Sequence, residues 1–556
     1  MNRLIEKGLS GLLEYIFPKK IISKQDVSVS ENFFSCRDVQ VVMSDVPSIV
    51  IREKGFIVLD FGKEMCGRLH ILAVDNSNGE IHVRLGESVA ECYAELGENE
   101  AGNYHSLRDC KLPIVSNADV TTNESGFRFA RIDVLSGGDF RIRSVFVESK
   151  RFVKEEEGYF ISNDETVNQI YEVAKHTLSL CIQNDVVWDG VKRDRVVWIG
   201  DFHPELLSIA CAYGNIDEIE NVLNIGETYV EKNAWINYIP AYSAWWIICL
   251  NDYYRYYGKK AYIVSKIPSM KKILAAFDSI ISSDGSISYA HSPLQYYTHN
   301  EFFLDWPTNY KNDSYYGWIS VIIHACREAK KLLTEFGEDV TLVDSMLARL
   351  LKNPTADSNY KQVEALQFLV GRKDAEATKN ALLKDGAKGM TGFMGYYILT
   401  AAALSGGGEA VLPMIKDFYG GMIKMGATSF WEDFDVEWLK DLPQGVEGIP
   451  QKDQKNIHRD YGQYCYKRLR HSLCHGWTSG VLAFFIRTVL GVQPIAPGSK
   501  KIQIKPNLLG LTSVEGRVPT PYGNIYVKHT LLNGEIKSEI TVPQGIKVCN
   551  DETDIY

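Results

Sequence analysis

No apolar run in the 556 residues approaches the roughly 20 that a membrane-spanning helix needs, so a soluble chain with no membrane partner is expected. Basic residues are not in excess: 60 Lys and Arg stand against 70 Asp and Glu, for a net charge of -10 and a pI near 5.7. Phosphate binding calls for clustered cations in excess, so no nucleic-acid partner is expected. The eleven cysteines form no CxxC pair and no zinc-type spacing with histidine, and read as buried free thiols of a reducing compartment. There is no low-complexity tract and no internal repeat. The N-terminal residues mix Glu and Gly into apolar positions and lack the uninterrupted apolar core and small-residue cleavage site of a secretory signal, so residues 1–27 read as a short amphipathic helix and the chain as cytoplasmic.

What is present is an ordinary globular composition, 45% hydrophobic and 23% charged, in a chain too long for one core. Over residues 28–155 short alternating runs such as Gly55–Gly62 and Ile81–Leu85 are broken by Gly, Asn and Asp, the pattern of a β-sandwich. Over 156–490 the period becomes helical, as in Val167–Ile182, Ala241–Tyr257, Trp318–Leu333 and Ser472–Leu490. About a dozen such segments would close as helix pairs, each burying one stripe against a neighbour. After Pro497-Gly498 strands return, so 491–556 forms a small C-terminal β domain. The fold class is multidomain α plus β.

Four clusters carry candidate chemistry. Trp188 to Glu205 alternates acids and bases, and a helix starting near Arg193 would align Asp194, Trp198, Asp201 and Glu205 on one stripe. Read structurally, that stripe is a surface ion-pair network. In Asn300–Asn309, Pro307 stops any helix and leaves Asp305 and Trp306 on a loop. In Gly426–Phe434, Glu432 beside Trp431 is partly desolvated by aromatic neighbours. Ser472–Trp477 places His475 at the head of an apolar helix. The last three also have ordinary readings, as a packed Trp beside a capping Asp, an exposed Glu and a core His.

In this order the clusters resemble the α-L-rhamnosidases of glycoside hydrolase family 78. The match lies in Asp189-x-x-x-Arg193-Asp194 ending in Trp198-x-Gly200-Asp201, then Asp305-Trp306, Trp431-Glu432 and Ser472-x-x-His475-Gly476. Flanking similarity runs through Phe61–Gly67, Gly126–Phe129, Leu490–Val492, Pro497-Gly498 and Pro519–Gly523, so the resemblance covers residues 55 to 545. It implies a central (α/α)6 six-hairpin barrel flanked by N-terminal and small C-terminal β-sandwiches, acting as an exo-acting, inverting α-L-rhamnosidase on rhamnose-containing glycosides or oligosaccharides. Asp194 would be the general acid and Glu432 the general base. Asp189, Arg193, Asp201, Asp305, Trp431 and His475 would hold the sugar, while Trp198, Trp245 and Trp306 would wall the ring and its C6 methyl. No cofactor or metal is implied, and a homo-oligomer is left open.

The chain departs from the family pattern in four ways. Asp194 stands where many members have Glu, and Gly190-Val191 replaces a frequent Cys-Pro. A polar insert, 433–470, reads as a solvated loop more readily than as a lid. The chain is also shorter than many members. Arg193 and Arg195 flank Asp194 and favour its carboxylate, against the needs of an acid, so burial or the nearby Asp189 and Asp201 must offset them. A relative acting on another deoxysugar or a uronate, and a catalytically inactive carbohydrate-binding homologue, remain as alternatives.

Overall fold

The computed structural model describes residues 7–8, 11–42, 46–298, 300–309, 311–462 and 467–549. The expected N-terminal helix is absent from the described part of 1–27: Gly11–Ile16 and Lys20–Val29 are strands. The reason is pairing. Gly11–Ile16 runs antiparallel to Phe140–Arg151, and Lys20–Val29 pairs with Ile49–Ala73, so backbone hydrogen bonds to the sheet override a weak helical pattern.

Nine strands form one hydrogen-bonded network in the N-terminal β domain. The 25-residue strand Ile49–Ala73 joins it by changing partners along its length, from Lys20–Val29 and Ser125–Ser136 at its start to Phe140–Arg151 and Asp119–Thr121 at its end. Alternate residues such as Ile57, Leu59, Val83, Ile132 and Val145 fill its core.

Thirteen α-helices lie among the described residues. The first, α1 (Val89–Tyr93), belongs to the β domain; the other twelve follow it in the central unit. They are α2 (Glu165–Cys181), α3 (Ile199–Ala212), α4 (Asp217–Glu231), α5 (Pro240–Tyr257), α6 (Lys260–Ile280), α7 (Ser314–Glu335), α8 (Thr341–Leu350), α9 (Lys361–Leu369), α10 (Ala375–Leu383), α11 (Gly395–Leu404), α12 (Val411–Lys424) and α13 (Gly480–Phe484). Asp164 caps α2 by accepting from Val167 N at 3.1 Å; α5 begins on Pro240 and ends at Gly258 with φ 66°. Every residue of α3, and every residue of α5 but Arg255, is buried. A helix buried all round is an inner helix, and these two pack on each other at the centre. No described helix is long and apolar enough to cross a membrane.

At the C-terminus, Ser513–Thr520, Gly523–Leu532 and Glu535–Thr541 form a sheet that also takes in Tyr159–Ser162, a strand from just before α2. The N-terminal edge of the helical unit is thus tied to the C-terminal strands. The ten described cysteines are free thiols, most of them buried; Cys465 lies outside the described residues.

The insert 433–470 is not a solvated loop over most of its described length. Trp438, Val446, Ile457 and His458 are buried, Glu447 pairs with Arg128 at 2.6 Å and Lys20 at 3.0 Å, and Val446 O accepts from Val89 N at 2.8 Å. Its charges sit outside and its few apolar residues anchor it to the β domain.

Candidate active site

Three distant segments are stitched together by backbone hydrogen bonds. His475 N donates to Phe430 O at 2.9 Å, Glu432 N to Ser472 O at 3.0 Å, and Gly476 N to Asp189 O at 2.7 Å, while Gly190 bridges His475. Asp189, Glu432 and His475 are brought to one place by this frame. Their side chains follow: His475 Nε2 lies 3.9 Å from Asp189 Oδ2 and 4.0 Å from Glu432 Oε1.

No helix starts at Arg193. Asp194 and Arg195 have φ of 54° and 55°, in the left-handed region, and α3 starts only at Ile199 behind Trp198 as its N-cap. The expected four-residue stripe is therefore corrected: Asp201 and Glu205 share a face of α3, whereas Asp194 and Trp198 precede the helix. Two successive non-glycine residues in that region cost on the order of 1–3 kcal/mol each. Offsetting contacts are present: Asp189 Oδ1 accepts from Val196 N at 3.1 Å, and Arg195 pairs with Glu124 and lies 4.5 Å over the Trp188 ring. Arg195 thus turns away toward Glu124, leaving Arg193 as the flanking base that contacts Asp194.

Arg193 is the hub. Its Nη1 donates to Asp194 Oδ2 at 2.6 Å and its Nη2 to Glu432 Oε2, so one guanidinium holds both expected catalytic acids. His105, from the β domain, reaches the other oxygen of Asp194 at 3.3 Å. Burial, then the charges of Asp194 and Asp201, push the Asp189 carboxyl well above the usual carboxylate range. Burial also raises Asp201 to about 8, against a 3.0 Å hydrogen bond from Tyr242 and reinforced by Glu432 and Asp194. Glu205 is raised likewise by burial and by Asp201 and Asp189. Burial and Arg193 hold His475 well below its ordinary value. Burial thus disfavours the charged forms of Asp189, Asp201, Glu205 and His475 alike.

Asp305 caps the turn Trp306–Thr308 and accepts from Thr391 at 2.6 Å and Gln362 at 3.3 Å, and burial raises it to about 6. Trp306 meets Phe303 edge-on at 5.1 Å, Phe303 meets Tyr242 at 5.9 Å, and Tyr242 meets Trp198 at 6.2 Å. This aromatic chain joins the Asp305 loop to Asp201. Two expected sugar-facing residues lie instead in the helical core. Trp245, 1% exposed, is stacked on His203 at 5.2 Å, and Trp431, also 1% exposed, packs edge-on against Phe434. Both rings are spent on packing.

Sequence reasoning missed Tyr242, His105 and the role of Trp477, whose indole donates to Glu432 O at 3.1 Å and lies 4.2 Å from His475. Trp477 had a signal in its adjacency to His475; His105 had none, because only folding brings the β domain over the acids. A cavity of about 1390 Å³ lies elsewhere, lined by Arg327, Lys331, Phe368, Thr400, Arg487 and Lys505. Glu335 is the one carboxylate among its described lining residues, so it offers no acid–base pair. A small cavity of about 20 Å³ beside Arg193 is lined by Tyr104, His105, Lys192 and Arg470.

The buried acids thus lie beside aromatic rings on the helical unit, and comparison with known proteins gives several similarities. Residues 155–342 match the bacterial α-L-rhamnosidase six-hairpin glycosidase domain, and 491–549 match the bacterial α-L-rhamnosidase C-terminal domain. An α-L-rhamnosidase from Alteromonas sp. (strain LOR) is 24% identical over 89% of this chain and 55% of its own length. The chain thus spans about half the length of that relative. Among solved structures, the family 78 rhamnosidase of Bacillus sp. GL1 is similar with a TM-score of 0.72, at 19% identity over 94% of this chain and 56% of its own. The rhamnosidase from Klebsiella oxytoca with rhamnose bound gives 0.66, at 18% identity over 86% of this chain and 96% of its own. The chain is thus similar to α-L-rhamnosidases, with its domain matches lying over 155–342 and 491–549.

Proposed function

We propose that the chain hydrolyses terminal α-L-rhamnosides with inversion, with Asp194 as general acid and Glu432 as general base, at the mouth of a barrel closed from six helix pairs. The observation that carries the reading is the single Arg193 guanidinium shared by these two acids, one its sequence neighbour and the other 239 residues from it. An inverting site needs one acid to protonate the leaving oxygen and one carboxylate, about 6.5–9.5 Å away, to activate water on the opposite face of the ring. Asp194 lies toward the β domain, beside His105, where the leaving group would sit. Glu432 lies inward, beside His475 and the backbone N–H of Ser472 at 3.3 Å, where a water would be held.

Asp189, Asp201 and His475, whose charged forms burial disfavours, suit the hydroxyls of an uncharged sugar. Trp198, Tyr242, Phe303 and Trp306 supply an apolar side for a C6 methyl. A uronate substrate is less well served, because both terminal nitrogens of Arg193 are already engaged by acids. Asp194→Asn and Glu432→Gln should each lower turnover of an aryl α-L-rhamnoside by about three orders of magnitude or more while rhamnose binding stays measurable. A rate within about tenfold of the parent would remove that residue from the mechanism.

A further inference from the structure

Beside Arg193 the chain buries a second ionic cluster that the chemistry above does not use. Glu87, Glu91 and His458 are each at most 2% exposed, and their ligand-type atoms lie within 4.8 Å of one another, a grouping suited to a metal cation. The Lys192 ammonium already occupies it. Lys192 Nζ lies 3.0 Å from Glu91 Oε1, 3.4 Å from Glu87 Oε2 and 3.4 Å from His458 Nε2, and donates to Leu469 O at 2.6 Å and His471 O at 2.9 Å. Burial and the Lys192 charge hold His458 well below its ordinary value, so its ring is neutral beside the ammonium.

The cage joins the pieces that carry the two acids. Glu87 and Glu91 come from the β domain, and Lys192 is covalently next to Arg193. Glu87 Oε2 also accepts from Leu473 N at 2.6 Å, and Glu87 Oε1 from Ser472 Oγ at 3.2 Å, the same Ser472 whose N–H reaches Glu432. A buried cation with this many fixed acceptors leaves little freedom to the turn that follows it.

We propose that Lys192 is a built-in cation that stands where a metal ion would, and that it positions the Arg193–Asp194 turn against Glu432. It is a positioning residue and touches no substrate. The effect on rate rests on the reading of Asp194 and Glu432 given above; the cage itself does not. If that is right, Lys192→Ala leaves a vacancy that a small primary ammonium ion fills.

The test compares Lys192→Ala and Lys192→Met with the parent, with propylammonium or tetramethylammonium at constant ionic strength. Propylammonium at several times its Kd should raise the melting temperature of the Ala variant by at least about 2 °C, following the RT ln(1 + [L]/Kd) dependence, and tetramethylammonium, which has no N–H, should not. Both variants should lose roughly 100-fold in kcat on an aryl α-L-rhamnoside, with L-rhamnose inhibition within about threefold of the parent; propylammonium should restore about tenfold to the Ala variant alone. Rates within about threefold of the parent would overturn the proposal, as would stabilisation without recovery of rate, or no stabilisation at all. If neither Lys192 variant folds, Glu91→Gln, which keeps the shape and removes one charge, should lower kcat about tenfold with rhamnose inhibition preserved, and an unchanged kcat would overturn the proposal. A parent that cleaves no rhamnoside would sink the functional reading, while the melting-temperature response would still decide the cage.

Discussion

At the scale of single residues, the site is an exercise in where protons rest. Asp201 is raised to about 8 because burial penalises its charge more than the Tyr242 hydroxyl stabilises it. A carboxyl raised in the folded state binds more protons there than in the unfolded chain, so its contribution favours folding at low pH and is lost as pH rises from about 4, the unfolded value, to about 8. The Asp201→Asn variant lacks that slope. Melting temperatures of parent and variant should therefore diverge in the variant's favour between pH 5 and pH 8; parallel curves would show that Asp201 carries no proton in the folded chain.

At the scale of elements, close approach does the positioning. A Cβ at Gly200 would run into the Tyr242 ring, so glycine there lets α3 and α5 approach and brings the Tyr242 hydroxyl within 3.0 Å of Asp201. Gly200→Ala should displace that ring, destabilise the chain by about 1–3 kcal/mol, the usual cost of overpacking, and lower kcat/KM. A thermal melt and a rate measurement check it, and a variant indistinguishable from the parent would show that the ring shifts without consequence. This is also where sequence reading ran out. Periodicity was enough for α2, α5 and α7, which Val167–Ile182, Ala241–Tyr257 and Trp318–Leu333 mark, and motif order was enough to assemble Asp189, Glu432 and His475. It missed the left-handed turn at Asp194 and Arg195, since a local pattern of charges at helical spacing carries no information on backbone hand. It also misassigned Trp245 and Trp431, because a tryptophan next to a motif looks alike whether its ring faces a ligand or the core.

At the scale of the molecule, the β domain is part of the site. It supplies His105 to Asp194, the Glu87 and Glu91 cage to Lys192, and Arg128, which binds Asp60 through two 2.8 Å hydrogen bonds and also reaches Gly426 O and Glu447. Such contacts between residues hundreds of positions apart are invisible in one sequence, and the packed state of the 433–470 insert was missed for that reason. The most direct measurement of the central claim is proton NMR of the first sugar released from an aryl α-L-rhamnoside. Glu432 activating water opposite a leaving group protonated by Asp194 gives β-L-rhamnose first, with the α anomer growing in only by mutarotation. Release of α-L-rhamnose first would contradict that arrangement.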